Sequence, residues 1–142
     1  MTHALYQVAP KVHLRREDGK CLILIDPQGL YDFPGGRIDE AEQGGDLRIA
    51  LRREVREELG TDISYEIGGL MCASTRSFDI PSGRLHILAL HHTGRYLGGE
   101  PTLSDEHDHY EWLTPTELLA EPERFVSASE YDALKEYFLE HP

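Results

Sequence analysis

The sequence lacks any long hydrophobic run. Its longest strongly apolar stretch, Cys21–Ile25, has five residues and is far too short to span a bilayer. The first residues also lack the basic segment followed by an apolar one that marks a secretory signal peptide. We therefore expect a protein with no membrane partner and a cytoplasmic location.

Cysteine and positive charge are also scarce. The two cysteines, Cys21 and Cys72, both lie in apolar, strand-like segments, so we expect buried thiols rather than a disulfide. Only 14 lysines and arginines face 26 acidic residues, and the net charge of −12 argues against long nucleic acids as partners. A small phosphorylated ligand remains compatible with this charge, because bound cations would reverse the field in an acidic pocket.

The length and the hydrophobic pattern predict one α+β domain over residues 1–142. A chain of 142 residues with 39% hydrophobic and 28% charged residues is typical of a single globular domain. Alternating or continuous apolar residues predict strands at 4–16, 21–25, 63–78, 84–95 and 110–113. Helical spacing and capping residues predict helices at 46–59, from Thr114 onward, and from Ser127 or Ser129 through 139. This order fits a mixed sheet with a helix on each face.

One predicted helix carries an unusual density of carboxylates in the segment Arg53-Glu54-Val55-Arg56-Glu57-Glu58-Leu59-Gly60. At about 100° per residue, Glu54, Glu57 and Glu58 lie within a roughly 100° arc of one helix face. Three carboxylates this close repel each other, and a divalent cation would remove the conflict, since Mg²⁺ binds oxygen ligands and is often shared with substrate phosphates. The alternative is a solvated helix with salt bridges, which runs of Glu and Arg usually form.

The segment upstream favours the metal interpretation. It reads Phe33-Pro34-Gly35-Gly36-Arg37-Ile38-Asp39-Glu40-Ala41-Glu42. Together the two segments resemble the signature of the Nudix hydrolases, in which a glycine and a glutamate precede an Arg-Glu-aliphatic-any-Glu-Glu-any-Gly motif. Gly36 and Glu42 match the first half, and residues 53–60 match the second.

The chain departs from the family pattern at two places. Ten residues, rather than the family's seven, separate Glu42 from Arg53, and Thr61 replaces the usual aliphatic residue. We place the extra length in Gln43-Gly44-Gly45, before an N-cap at Asp46. An insertion there would lengthen a loop without rotating the carboxylates downstream.

The resemblance implies an α/β/α sandwich around a mixed sheet and a Mg²⁺-dependent pyrophosphohydrolase, for which Mn²⁺ could substitute. It implies metal ligation by the Gly35 carbonyl and by Glu57, Glu58 and Glu54, with Glu54 as ligand or general base. Arg53 is then expected to orient a signature glutamate. Glu42 is expected to support the metal ligands without contacting the metal itself. Glu106 is our candidate for a further catalytic acid, although an exposed acidic loop would explain it equally well.

The substrate is expected to be a small nucleotide-type diphosphate, with nucleoside triphosphates favoured over dihydroneopterin triphosphate or nucleotide sugars. The window at 76–78 contains neither proline nor tyrosine, which argues against the ADP-ribose and diadenosine polyphosphate subgroups. The residues expected to contact the substrate are Gly36, Arg37, Tyr31, Phe33, Arg76, Phe78 and His86. A homodimer is compatible with the sequence.

Three other interpretations were weighed. A non-catalytic Nudix-like ligand-binding domain commonly loses signature glutamates, whereas this chain retains all three on the helix. An isoprenyl diphosphate isomerase would need catalytic residues that we do not identify. A zinc site is disfavoured because the sequence has neither paired cysteines nor a helical two-histidine motif, so we expect partly exposed polar histidines.

Overall fold

The computed structural model describes residues 2–142. In this part of the chain, six strands form a mixed sheet: β1 (Gln7–Arg15), β2 (Cys21–Ile25), β3 (Tyr31–Asp32), β4 (Ile63–Ile80), β5 (Gly83–Gly99) and β6 (His109–Leu113). Three α-helices accompany them: α1 (Leu47–Leu59), α2 (Pro115–Leu119) and α3 (Ala128–Glu140). Short 3-10 turns lie at Glu40–Glu42 and Pro122–Arg124.

The sheet has the order β3-β2-β1-β5-β4, and β6 pairs with β2. β1 and β5 run parallel from the pair Gln7–Ile87 to the pair Arg15–Arg95, whereas the other pairings are antiparallel. Sequence order does not predict a parallel β1–β5 pair, because these strands are separated by α1 and the whole of β4. The expected α+β class with a mixed sheet is confirmed.

Two apolar cores cover opposite faces of the sheet. All five residues of β2 are buried, as predicted. Cys21, Ile23 and Ile25 face a core shared with α2 and α3, and Leu22 and Leu24 face a core shared with α1. Because successive strand residues point to opposite faces, this alternation places helices on both sides of the sheet, as in an α/β/α sandwich.

Capping residues in the sequence mark the ends of the helices. The Asp46 side chain accepts a hydrogen bond from the Arg48 N–H and begins α1, while Gly60, at φ +81°, ends it. Thr114 forms the predicted capping box with Glu117. Of the two serines considered for α3, Ser127 is the cap, since its hydroxyl accepts from the Glu130 N–H.

Strand ends were predicted less well. The β4–β5 hairpin continues through the Ile80–Gly83 pair and extends to Gly99, beyond the predicted ends at 78 and 95. The main-chain ladder continues through residues with largely exposed side chains, such as Ile80 and Leu97, so a pattern of buried and exposed side chains does not mark its end. The sequence predicts no strand at β3, because a two-residue strand is defined by its pairing with β2 rather than by any pattern of its own.

Both cysteines are free thiols; Cys21 is buried and Cys72 is partly buried. No helix within residues 2–142 has the length and apolar character needed to cross a membrane.

The expectation of partly exposed histidines is wrong for four of them, since His13, His91, His92 and His107 are buried. His13 Nε2 lies 3.0 Å from His91 Nδ1, and His91 Nε2 lies 3.0 Å from the Ser74 hydroxyl. Burial lowers the pKa of His13 well below its usual value and that of His91 to about 3. Both rings are therefore neutral in the folded protein at neutral pH.

The buried neutral pair predicts acid sensitivity. The unfolded chain has ordinary histidine pKa values, so it binds more protons than the native state once the pH falls below about 6.5. Stability should therefore decrease between pH 6.5 and about 3 by up to about 1.4 kcal/mol per pH unit for His91. Denaturant unfolding of the wild type and of His91→Asn across this range measures the effect as a difference in slope, with His109→Asn, at an exposed side chain, as the control. Equal slopes for the wild type and His91→Asn would contradict it.

Candidate active site

A cleft of about 750 Å³ opens beside the loop that precedes α1. Strand β1, the β4–β5 hairpin and the start of α3 complete its walls. The predicted site residues that line it are Gly35, Gly36, Arg37, Glu54, Glu58, Arg76 and Glu106. This volume is within the range of small-molecule sites and suits a nucleotide-sized ligand.

The Gly35-Gly36 turn packs closely against β1 and against the carboxylate of Glu54. Gly35 has φ +133°, and a Cβ there would collide with the Pro10 carbonyl and lie 2.9 Å from the Lys11 Cα. At Gly36 a Cβ would lie 2.6 Å from a carboxylate oxygen of Glu54. The two glycines therefore bring the loop backbone directly between β1 and the carboxylates of α1.

The three helix carboxylates share one face but differ in exposure. The Glu58 side chain is 5% exposed and accepts a 2.7 Å hydrogen bond from the Gly35 N–H. Glu54 is 17% exposed and Glu57 is 58% exposed. Burial raises the pKa of Glu54, and it raises the pKa of Glu58 to about 7 against the opposing effects of the Lys11 ammonium and the Gly35 N–H. Glu54 and Glu58 line the cleft, whereas Glu57 lies toward solvent on the same face.

Arg53 links the carboxylates of the loop and the helix. Its guanidinium donates two 2.7 Å hydrogen bonds to Glu42, and its Nη1 lies 3.1 Å from Glu54 and 3.2 Å from Glu57. It also donates to the Arg37 carbonyl at 3.4 Å. These bonds hold the pKa of Glu42 well below its usual value. A planar donor fork can satisfy several carboxylates at once, which a point charge cannot.

The three-residue insertion leaves this network intact. Glu42 ends a 3-10 turn, and the Gly45 N–H donates to the Glu42 carbonyl at 3.3 Å. Gly44 takes φ +80°, a conformation that favours glycine. The extra residues thus form a tight turn before Asp46, and Glu42 still reaches Arg53.

Sequence reasoning missed a partly buried chain of charged side chains beside the signature. The Lys11 ammonium lies 3.0 Å from Asp32 Oδ1 and 3.1 Å from the Gly35 carbonyl, and His107 Nε2 lies 2.8 Å from Asp32 Oδ2. His107 Nδ1 is also 4.0 Å from Glu58. Although burial acts in the other direction, Lys11 and His107 hold the pKa of Asp32 well below its usual range, and Asp32 raises the pKa of His107. The one available signal was Lys11 itself, a charge in the middle of β1, whose other charged residue, Arg15, is exposed at the strand end.

Two of the aromatic residues expected to contact substrate do not line the cleft. Tyr31 is 1% exposed and packs edge-on against Phe125, while Phe33 is fully buried and stacks on His13 at 4.3 Å. The expectation that these rings contact substrate is therefore wrong, because both belong to the core beneath β2 and β3.

Phe78 and His86 also lie outside the cleft lining, near the tip of the β4–β5 hairpin. The Arg76 guanidinium lies over the Phe78 ring, 5.6 Å from the ring centre. His86 Nδ1 forms a hydrogen bond of 2.6 Å with the Ser77 hydroxyl. Among the three hairpin residues proposed from the sequence, Arg76, Phe78 and His86, only Arg76 lines the cleft. Glu106 lies in an exposed loop at the cleft wall.

The donors around the turn fit a hard divalent cation. The Gly35 carbonyl and the carboxylates of Glu54, Glu57 and Glu58 are all oxygen ligands, the kind that Mg²⁺ prefers. The Gly35 carbonyl already accepts a hydrogen bond from the Lys11 ammonium, so its environment attracts positive charge. A neighbouring group of Asp32, Glu58 and His107, with ligand atoms within 4.8 Å of one another, adds one imidazole nitrogen to the set.

Comparisons with known proteins agree with this geometry. The family model described as NUDIX domain matches residues 5–134. The fold is similar to the MutT protein from Methanosarcina mazei Go1, with 23% identity, coverage of 99% of each chain and a TM-score of 0.73. A MutT NUDIX hydrolase from Burkholderia pseudomallei is 26% identical over 93% of this chain and 98% of that chain, with a TM-score of 0.69. An Ap4A hydrolase from C. elegans is 18% identical over 96% of this chain and 99% of that one, with a TM-score of 0.63. Comparison with curated proteins finds no match.

Proposed function

The chain belongs to the Nudix hydrolase family, and on that premise we propose that it is a Mg²⁺-dependent pyrophosphohydrolase. It cleaves a phosphoanhydride bond in a nucleoside diphosphate or triphosphate derivative, with nucleoside triphosphates as the favoured substrates. Nucleotide sugars and dihydroneopterin triphosphate are the alternatives within the same chemistry.

One observation carries the proposal. Glu54 and Glu58, one helical turn apart, line a nucleotide-sized cleft against the backbone of the Gly35-Gly36 turn. Arg53 ties Glu54 and Glu57 to Glu42, so the whole carboxylate set of the signature is assembled. A domain that only bound ligands would not need to hold these mutually repelling carboxylates close together.

The residues divide into ligands and supports. Glu54, Glu57, Glu58 and the Gly35 carbonyl would hold the cation, which supplies neutralisation of phosphate charge and a more acidic bound water. Arg53 keeps the glutamates oriented. We assign Glu54, which pairs with Arg53 and packs against Gly36, the role of accepting a proton from the attacking water. Its charge state belongs to the cluster as a whole, because the carboxylates titrate together.

Lys11 adds positive charge to the cleft from strand β1, beside the Gly35-Gly36 turn. Its side chain is 12% exposed and lines the cleft. The ammonium is held by Asp32 and the Gly35 carbonyl, next to the expected position of the phosphates. It can offset negative charge on the substrate without a change in the fold. Among the named relatives, the C. elegans Ap4A hydrolase is described as acting on a nucleotide, which supports a nucleotide-type substrate.

The substrate class is tested with a panel of nucleoside triphosphates, nucleotide sugars and dihydroneopterin triphosphate. Each is incubated with enzyme and millimolar Mg²⁺, and the products are identified by chromatography. We expect cleavage of a nucleoside triphosphate at a phosphoanhydride bond. Preferential turnover of a nucleotide sugar or the pterin would replace the favoured substrate, and no turnover of any compound would overturn the enzymatic function.

Metal binding should also stabilise the native state. Because the carboxylates repel one another without a cation, Mg²⁺ at ten times its dissociation constant should add about 1.4 kcal/mol, or roughly 3–5 °C in Tm. Differential scanning fluorimetry in Mg²⁺ and in EDTA measures this shift. Glu136→Gln, at an exposed position on α3, should keep the shift, and Glu57→Gln should reduce it. The same Tm in Mg²⁺ and EDTA would contradict a metal site at these carboxylates.

A further inference from the structure

A second buried carboxyl group lines the cleft, outside the signature. Glu130 lies in the first turn of α3 and is 5% exposed. Its backbone N–H is fixed by the Ser127 hydroxyl at 3.1 Å, and Ser127 in turn donates to the Thr75 carbonyl at 2.8 Å. The start of α3 is thus tied to β4, and the side chain of Glu130 is held at the wall of the cleft.

The carboxyl of Glu130 has unused hydrogen-bonding capacity. Within residues 2–142, its Oε1 has no hydrogen-bond partner. Its Oε2 lies 3.8 Å from His91 Nε2, which is too long for a hydrogen bond. A buried polar atom without a partner costs on the order of 1–3 kcal/mol, so a ligand that supplies the partner gains binding energy there.

A polar network supports this part of the cleft from below. His13, His91 and Ser74 form a buried chain through contacts of 3.0 Å at each step. His13 Nδ1 has no partner among the described residues, so the tautomer that leaves no N–H unpaired places the His13 proton on Nε2, facing His91. His91 then donates from Nε2 to the Ser74 oxygen. The Ser74 hydroxyl, which also lines the cleft, is left with its own proton to donate.

The titratable groups facing Glu130 come from four elements. Burial and the negative charge of Asp32 on β3 raise its pKa to about 7, and Lys11 on β1, Arg76 on β4 and the Val126 N–H oppose this. The neighbouring His91 on β5 is neutral. The carboxyl of Glu130 can therefore be protonated near neutral pH, which gives it one O–H donor and one carbonyl acceptor.

We propose that Glu130 recognises the nucleobase of the substrate and selects bases that carry an exocyclic amine next to a ring-nitrogen acceptor, as cytosine and adenine do. The carboxyl O–H donates to the ring nitrogen, and the carboxyl C=O accepts from the amine. This inference rests on the proposed function, since it assigns the base-binding end of the same cleft.

The other common bases do not match this pair of groups. Guanine presents an amine next to an N–H, and uracil presents a carbonyl next to an N–H. Either would leave a buried donor or acceptor unpaired against the protonated carboxyl, and such mismatches are discriminated strongly. Lys11 and Asp32 line the same cleft as Glu58 and Glu130 and act electrostatically on both carboxyl groups. A single nucleotide can thus place its phosphates at α1 and its base at α3.

The test is equilibrium binding rather than turnover. Isothermal titration calorimetry with AMP, CMP, GMP and UMP, each in millimolar Mg²⁺, measures base preference without hydrolysis. We expect AMP or CMP to bind roughly ten- to a hundred-fold more tightly than GMP and UMP. The separate AMP and CMP titrations show whether the cleft accepts the purine, the pyrimidine or both.

Two substitutions separate recognition from folding. Glu130→Ala should make the affinities for the four monophosphates nearly equal. Glu130→Gln should keep the wild-type ranking, because its amide N–H and C=O reproduce the donor and acceptor of the protonated acid. Glu136→Gln, an exposed glutamate on the same helix, is the control and should behave as the wild type.

The pH dependence distinguishes the protonated carboxyl from a carboxylate. In the wild type, the preference for AMP or CMP should weaken as the pH rises from about 6 to 8, because the carboxylate cannot donate; in Glu130→Gln it should stay constant. Equal or undetectable binding of all four monophosphates by the wild type, an unchanged ranking in Glu130→Ala, or an equal pH response in Glu130→Gln would overturn the inference. Such a result, obtained with an enzyme that hydrolyses nucleotides in the product assay, would leave the proposed function standing.

Discussion

Glu57→Gln is expected to reduce kcat by roughly 10²–10⁴-fold while the protein remains folded. Glu57 is the most exposed of the three helix carboxylates, and Arg53 is the group it pairs with. The amide keeps the size of the side chain but removes the charge that a cation requires. Because the position is exposed, the change in the free energy of unfolding should stay within about 0.5 kcal/mol.

Steady-state kinetics at saturating Mg²⁺, together with denaturant unfolding, measures both effects. KM should change less than kcat if contacts at the base and sugar hold the substrate. Glu136→Gln removes an exposed carboxylate of α3 and should retain wild-type activity. Equal activity of the two variants would show that Glu57 does not serve the reaction.

Arg53→Lys should lower kcat/KM on the order of 10²-fold even though it conserves the charge. The guanidinium bonds simultaneously to Glu42, Glu54 and Glu57, and an ammonium cannot reproduce that planar fork. Small displacements of catalytic groups have effects of this size on rate. The stability loss should be modest, about 1 kcal/mol or less, because these ion pairs are partly open to solvent.

Arg56, three residues after Arg53 on the same helix, provides a matched control. Arg56 is exposed, and Arg56→Lys makes the same chemical change away from the carboxylate network. Michaelis–Menten kinetics of both variants should show a large loss only for Arg53→Lys. Similar losses in both would mean that the effect arises from helix α1 in general and not from the orientation of the glutamates.

The sequence predicted those features that depend on local spacing. Asp46 and Gly60 mark the ends of α1, and the periodicity between them places Glu54, Glu57 and Glu58 on one face. The continuous apolar character of β2 predicted burial on both sides. These signals lie within a few residues of one another, so no tertiary information is needed to interpret them.

Features that depend on tertiary packing could not be predicted in this way. Lys11, Asp32 and His107 come from β1, β3 and the loop before β6, and 75 residues separate the last two. Spacing in the sequence does not indicate that β1 pairs in parallel with β5 or that β3 pairs with β2. The same limit explains the error at Tyr31 and Phe33, since an aromatic residue beside a signature can face either the ligand or the core.

Burial also distinguishes carboxylates that are chemically identical in the sequence. Helical phase places Glu57 and Glu58 about 100° apart, at the two edges of the carboxylate face, and only Glu58 is buried, with its carboxylate accepting from the Gly35 N–H. Glu130 belongs to no sequence motif that would mark it as functional. Its importance follows from the unpaired oxygen and from the position of α3 against β4, both of which are tertiary properties.

The most direct test of metal-dependent phosphoanhydride hydrolysis is turnover of a nucleoside triphosphate in ¹⁸O-labelled water, with mass spectrometry of the products. With millimolar Mg²⁺ we predict two phosphorylated products, one of which carries a single ¹⁸O atom from the attacking water. With EDTA in place of Mg²⁺ we predict no turnover. Full turnover in EDTA, or products without the label, would contradict a mechanism in which the assembled carboxylates bind a cation and direct water onto a phosphoanhydride.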